Sequence, residues 1–155
     1  MNKLQLNRRS KSSGQIVVVL IIVLGLVGAG FWWLVSNKQA MAKDGKQFAN
    51  EAIQRIVVQR DINFFNSHLG PSARMNYPPS AQQEFMAEIA KLGSPAGPIN
   101  VEGNIEFQSQ FFEPKGTFHA RINYPARFAD VTLAISHPVG RWQIDETTFV
   151  PQRER

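Results

Sequence analysis

Histidine is the side chain best suited to proton transfer or metal ligation near neutral pH, and this chain has three: His68, His119 and His137. None stands three or four residues from another His, Asp or Glu, the spacing that would join two ligands on one helix face. The carboxylates are equally dispersed. Asp61 opens a short apolar run and reads as a helix cap. Glu102, Glu106, Asp130 and Asp145 fall on the polar faces of their segments, whereas Glu146 and His137 share parity with apolar residues near segment ends. The chain has no cysteine, which excludes disulfides, thiolate metal sites and a cysteine nucleophile. Gly25, Gly28 and Gly30 lie inside an apolar run and cannot cradle a phosphate there, and no serine sits in a nucleophile-elbow motif. These residues predict no catalytic centre, no cofactor and no metal site.

The aromatic residues offer another kind of chemistry. Phe64, Phe65, Tyr77, Phe85, Phe107, Phe118, Tyr124 and Trp142 recur at core-forming spacings, and their first role is packing. A subset could also line a cavity for an apolar ligand or a partner's side chain, with Tyr77 and Tyr124 supplying polar tips. Phe111 and Phe112 are adjacent near a turn, so one of them is expected to face outward as a contact. The candidate cavity or contact residues are Phe64, Tyr77, Phe85, Phe111, Phe112, Tyr124 and Trp142.

The segments that must position these side chains change period midway. Phe48, Ala49, Ala52, Ile53, Ile56 and Val57 recur every three or four residues and predict a helix from Lys46. A second short helix follows Asp61 and ends at Gly70-Pro71. Ser80-Ala81-Gln82-Gln83 fits a capping box opening a third helix, which presents Phe85, Ile89 and Leu92 and stops at Gly93. From Ile99 to Gln108 the pattern alternates strictly, predicting a strand. Glu113-Pro114-Lys115-Gly116 suits a turn. Three further strands follow: one through Phe118, Ala120, Ile122 and Tyr124, one through Ala129, Val131, Leu133 and Ile135, and one from Trp142 to Val150. The fold class is therefore α+β, with helices on one face of a four-stranded antiparallel sheet.

Ahead of this domain lies Ile16–Val35, twenty residues without a charge, an amide or a proline. At about 1.5 Å per residue such a helix covers about 30 Å, the thickness of a bilayer's hydrocarbon core. The predicted organisation is a basic cytoplasmic tail (1–15), a transmembrane helix (16–35), a juxtamembrane linker interrupted at Asp44-Gly45 (36–45) and the α+β domain (46–155). Lys3, Arg8, Arg9 and Lys11 make the tail basic, and such residues favour a cytoplasmic N-terminus. The net charge is +5, but from Ser36 onward thirteen basic residues stand against twelve acidic ones. The domain is near neutral, which argues against nucleic-acid binding. The run is longer than the apolar region of a cleaved signal, although Ala40-Met41-Ala42 offers a cleavage site. Gly25 and Ala29 form a small-residue pair through which two such helices could associate.

Two resemblances follow from particular residues. MNKLQLNRRSKSSG followed by QIVVVL resembles a type IV pilin-like leader, with Val19 where that family has a glutamate. The helix–strand order, together with Arg60-Asp61-Ile62-Asn63-Phe64-Phe65, Leu69-Gly70-Pro71-Ser72-Ala73-Arg74 and Gly140-Arg141-Trp142-Gln143-Ile144-Asp145, resembles the nuclear-transport-factor-like (cystatin-like, α+β cone) superfamily. More narrowly, it resembles small bacterial domains of that type carried behind one membrane helix. Members of that superfamily include enzymes, small-molecule binders and adaptors, so the resemblance implies a fold more than a function. An isomerase-like enzyme of this type needs a carboxylate base inside an apolar cone. The expected function is a non-catalytic binding or adaptor domain of the cell envelope. It is anchored in the bacterial inner membrane with its domain on the outer side and an envelope protein as partner. The alternatives are a pilin-like or secretion-apparatus subunit and a small-molecule-binding or isomerase-like domain.

Overall fold

The computed structural model describes residues 12–107, 113–138 and 140–152. Helix α1 spans Ser12–Ile53 and continues into a π-helical turn over Gln54–Val58. Of the described residues, those through Gln39 form one unit and those from Ala40 onward form a second. In the first unit every residue from Ile16 to Val35 is exposed, and its apolar window is long and hydrophobic enough to cross a membrane.

The second unit holds the remaining elements. Helices α2 (Ile62–His68), α3 (Pro71–Asn76) and α4 (Pro79–Lys91) precede strands β1 (Asn100–Phe107), β2 (Pro114–Asn123), β3 (Phe128–Ser136) and β4 (Gln143–Pro151). The strands pair antiparallel in the order β1-β2-β3-β4. The core lies between the helices and one sheet face. Ile53, Val57, Phe65, Leu69 and Ile89 meet Phe118, Ile122, Leu133, Ile135 and Ile144 there, all nearly inaccessible. The other face carries the polar alternates, as the period-2 pattern predicts.

Several local expectations are met for the expected reason. Asp61 caps α2, its carboxylate accepting from the Phe64 N–H at 2.9 Å. Gly93 adopts a left-handed φ of 84° beyond α4. The β2–β3 hairpin closes with the Tyr124 N–H donating to the Arg127 carbonyl at 2.8 Å.

Five expectations are corrected. Residues 36–45 are helical throughout, and Asp44-Gly45 does not interrupt α1. Gly45 is buried, and a Cβ there would lie 2.7 Å from both Ile105 Cδ1 and Trp142 Cη2. The glycine lets the helix approach the sheet, which outweighs its helix penalty of about 1 kcal/mol. Helix α3 is an additional element between the second and third predicted helices, with Pro71 at its first turn, where the missing N–H costs nothing. The Ser80–Gln83 capping box does not form. Instead α4 begins at Pro79, and the buried Gln82 amide donates to the Tyr77 carbonyl at 2.8 Å.

Pro114-Lys115-Gly116 is not a turn but the start of β2. Pro114 sits at the first strand position, where proline is tolerated, and Gly116 leaves room for Ile105 Cδ1, which a Cβ would meet at 2.6 Å. Finally, the β3–β4 register shifts between Ala134 and Ile135: Ile135 opposes Ile144 while Ala134 opposes Glu146. Asp145 is the extra residue of a bulge, so parity inverts and Glu146 turns outward to solvent.

Candidate functional site

The candidate aromatic residues separate into two groups. Phe64 and Trp142 belong to the first, around Phe48 of α1. The Phe48 ring lies 6.2 Å from Phe64, 6.4 Å from Trp142 and 5.5 Å from His68. His68 stacks on Phe64 at 4.1 Å and its Nδ1 lies 2.9 Å from the Phe64 carbonyl, while Arg55 covers the Phe64 ring at 4.9 Å. His137 closes the group edge-on to Trp142 at 5.0 Å. Two of the three histidines are thus packed against aromatic rings.

Tyr77, Phe85 and Tyr124 belong to the second group, with Phe65 and Phe149. Phe65 meets Phe85 at 5.5 Å and Tyr77 at 5.6 Å, and Phe149 bridges Phe85 at 6.4 Å to Tyr124 at 6.5 Å. Successive helical residues diverge by about 100°, so the neighbours Phe64 and Phe65 of α2 enter different groups. Phe111 and Phe112 lie outside the described residues. The candidate cavity or contact residues read from the sequence did not include Phe48, His68, Phe149 or Arg55. Phe48 had a visible signal, its place on the apolar face of the predicted helix; Phe149 had none, because the bulge at Asp145 sets its direction.

The two tyrosines differ in their polar tips. The Tyr77 hydroxyl donates to the Thr147 carbonyl. The Tyr124 hydroxyl is buried without a hydrogen-bond partner among the described residues. Burial pushes both phenols above their ordinary value. At Tyr77 the charge of Glu146 adds to that rise, whereas at Tyr124 the charge of Arg60 works against it. Arg60 is held in a left-handed conformation, φ 56°, and donates to the Gly93 carbonyl at 3.2 Å.

The outer face of the sheet carries the polar groups in cross-strand rows. Glu102, His119 and Thr132 occupy one row and Asn100, Arg121 and Asp130 the next. His119 Nδ1 lies 3.0 Å from Thr132 Oγ1, and Arg121 pairs with Asp130 at 2.9 Å. Gln152 also donates to Asp130, at 3.2 Å, and the Arg121 guanidinium lies 4.7 Å from the Phe128 ring centre. These six polar side chains line an open hollow of about 370 Å³. Carboxylate, imidazole, hydroxyl and guanidinium side by side on a solvated surface suit recognition of a polar surface by hydrogen bonds and ion pairs. A second hollow of about 300 Å³ lies at the end of the sheet between Ser72, Glu113, Lys115, His137 and Asp145. Gln143 orders its floor by donating to Ser136 Oγ at 3.2 Å and Asp145 Oδ1 at 3.0 Å. Among the described residues no three His, Asp or Glu side chains converge as a metal site.

No known protein family matches this chain, and neither a characterised protein nor a solved structure is detectably similar to it.

Proposed function

We propose that this chain is a single-pass, membrane-anchored, non-catalytic binding or adaptor domain of the bacterial cell envelope, of the nuclear-transport-factor-like type. Its domain lies on the outer side of the inner membrane and engages an envelope protein. One observation carries the reading: a wholly exposed apolar helix, Ile16–Val35, stands ahead of a domain that has its own closed core. Twenty apolar residues exposed to water are untenable, and a bilayer is the solvent they fit. The interior supports binding at the surface rather than inside the domain, because the two aromatic groups are closed by ring-to-ring contact. The polar hollow around His119 and Arg121 is the face we assign to the partner.

The test combines intact mass with site-directed photocrosslinking of the full chain in its native membranes. The expected mass runs from Met1 to Arg155, with or without Met1. A photoreactive residue at His119 or Thr132 is expected to capture an envelope protein that one at Ala87 of α4 does not. A mass beginning at Lys43 would mean release of a soluble domain and overturn the anchor.

A second reading is favoured by the basic stretch that ends at Gly14 immediately ahead of the apolar run, an arrangement that suits a pilin-like or secretion-apparatus subunit. A mass beginning at Gln15, after removal of a leader ending at Gly14, would select it.

A further inference from the structure

Strand β1 forms one edge of the sheet and, among the described residues, no other strand pairs with the outer side of Asn100–Glu106. At the opposite edge β4 is met near its start by a parallel bridge from Leu69 to Ile144, with the Gly70 N–H donating to the Ile144 carbonyl at 2.8 Å. The direction of the β1 peptide groups follows from the bonds that flank β2. The Pro114 carbonyl accepts from His137 N–H, and Tyr124 N–H donates to Arg127, so even-numbered residues of β2 turn their peptide groups to β3. Odd-numbered residues of β2 therefore turn to β1, and the Ala96 N–H bonded to the Asn123 carbonyl agrees. Through the register Lys115↔Glu106, Thr117↔Asn104, His119↔Glu102 and Arg121↔Asn100, the even residues of β1 face β2. Val101, Gly103 and Ile105 then direct N–H and C=O outward, away from the sheet.

We propose that this edge pairs with β1 of a second copy of the chain, antiparallel about a two-fold axis through Gly103, joining two four-stranded sheets into one. The outward peptide groups must form the hydrogen-bonded pairs, which restricts the register to odd residues opposite odd residues. With the axis at Gly103, Val101 opposes Ile105 of the second copy, and Glu102 opposes Asn104 while Asn100 opposes Glu106. Every carboxylate then faces an asparagine amide, at the close spacing of non-hydrogen-bonded pairs. Moving the axis to Asn104 sets Glu102 against Glu106, and moving it to Glu102 sets that carboxylate against itself. Both neighbouring registers are thus opposed by like charge. The inner-face residues Ile99, Val101 and Ile105 are half-buried in one chain, and pairing would continue their apolar face across the junction. Gly103 suits the axis. It has no side chain to place at the crossing, and a Cβ there would strike the Thr117 carbonyl of β2 within the same chain. The inference stands apart from the membrane reading, although two copies confined to one bilayer would gain effective concentration.

The chain lacks cysteine, so single replacements report cleanly. The full chain in detergent micelles, with Glu102→Cys and Asn104→Cys versions carrying different tags, is mixed and oxidised. A disulfide is expected between the two versions and not within either alone. Preferential linkage of Glu102→Cys to Glu106→Cys, or no linkage above a Thr148→Cys control on β4, overturns the register. Val101→Pro removes an outward N–H and no bond to β2. It is expected to weaken self-association roughly tenfold or more with far-ultraviolet circular dichroism unchanged. Should that variant unfold, Asn104→Glu on the exposed face serves instead, placing two carboxylates opposite each other and lowering association roughly tenfold. A dimer that survives Asn104→Glu but is lost on Gly25→Leu with Ala29→Leu belongs to the apolar helix and overturns the proposal, as does a monomer at every concentration.

Discussion

Gly45, Tyr77 and Tyr124 show how much a single residue's surroundings decide. A methyl group on Gly45 would overlap two ring and side-chain carbons at 2.7 Å. Gly45→Ala, ordinarily a helix-stabilising change, is therefore expected to destabilise the domain by about 1–3 kcal/mol in urea unfolding. The tyrosines separate by partner. Tyr77→Phe strands the Thr147 carbonyl and should cost about 1 kcal/mol. Tyr124→Phe removes a buried hydroxyl that has no partner among the described residues, and is expected to be neutral or stabilising by up to about 1 kcal/mol. The two phenols also set an alkaline limit. Both pKa values are raised in the folded state, chiefly by burial, so above the ordinary tyrosine value near 10 the unfolded chain ionises before the folded one does. The stability they contribute is present below that value and is lost as pH rises through the folded pKa values. The Tyr77→Phe/Tyr124→Phe double variant should flatten the fall of melting temperature above pH 10, and an unchanged slope would assign the alkaline loss to other groups.

Among the elements, α2 depends most on its ends. It has seven residues, too few to be stable alone, and it is fixed by the Asp61 cap, by Phe64 and Phe65 entering two aromatic groups, and by the Leu69–Ile144 bridge at its exit. Asp61 also lies 3.6 Å from Arg55 on the preceding π-helical turn. Asp61→Ala is expected to cost about 1 kcal/mol through the cap. Asp61→Asn should retain most of that in thermal melts, because the amide oxygen still accepts from the Phe64 N–H while the ion pair, half exposed, contributes little. The β4 bulge has an equally specific effect, since one extra residue, Asp145, carries Glu146 to solvent and Phe149 toward Phe85.

For the molecule as a whole, the division after Gln39 separates an apolar segment from a domain with its own core. A chain beginning at Ala40 is expected to remain in the aqueous phase on detergent phase separation and to unfold cooperatively, whereas the full chain should partition with detergent. Partition of both into detergent would mean that the domain itself carries a membrane surface. The near balance of charge from Ser36 onward further predicts that the soluble domain shows no salt-dependent retention on heparin.

The α+β class, the four strands, the inward faces of β2 and β3, the Asp61 cap and the apolar span were all legible from residue order. Each rests on local physics: a period of two or of 3.6, a side-chain oxygen within reach of free N–H groups, or a run long enough for a bilayer. The tertiary structure decided the rest. It turned Gly45 from a helix breaker into a contact point, and it made Pro114 and Gly116 the start of a strand. It moved Glu146 outward by a bulge, divided the aromatic residues into two groups, and left the Tyr124 hydroxyl alone among the described residues while giving Tyr77 a carbonyl. These outcomes depend on which distant backbone or ring comes within a few ångströms, and that distance is set only when helices and sheet close on a common core.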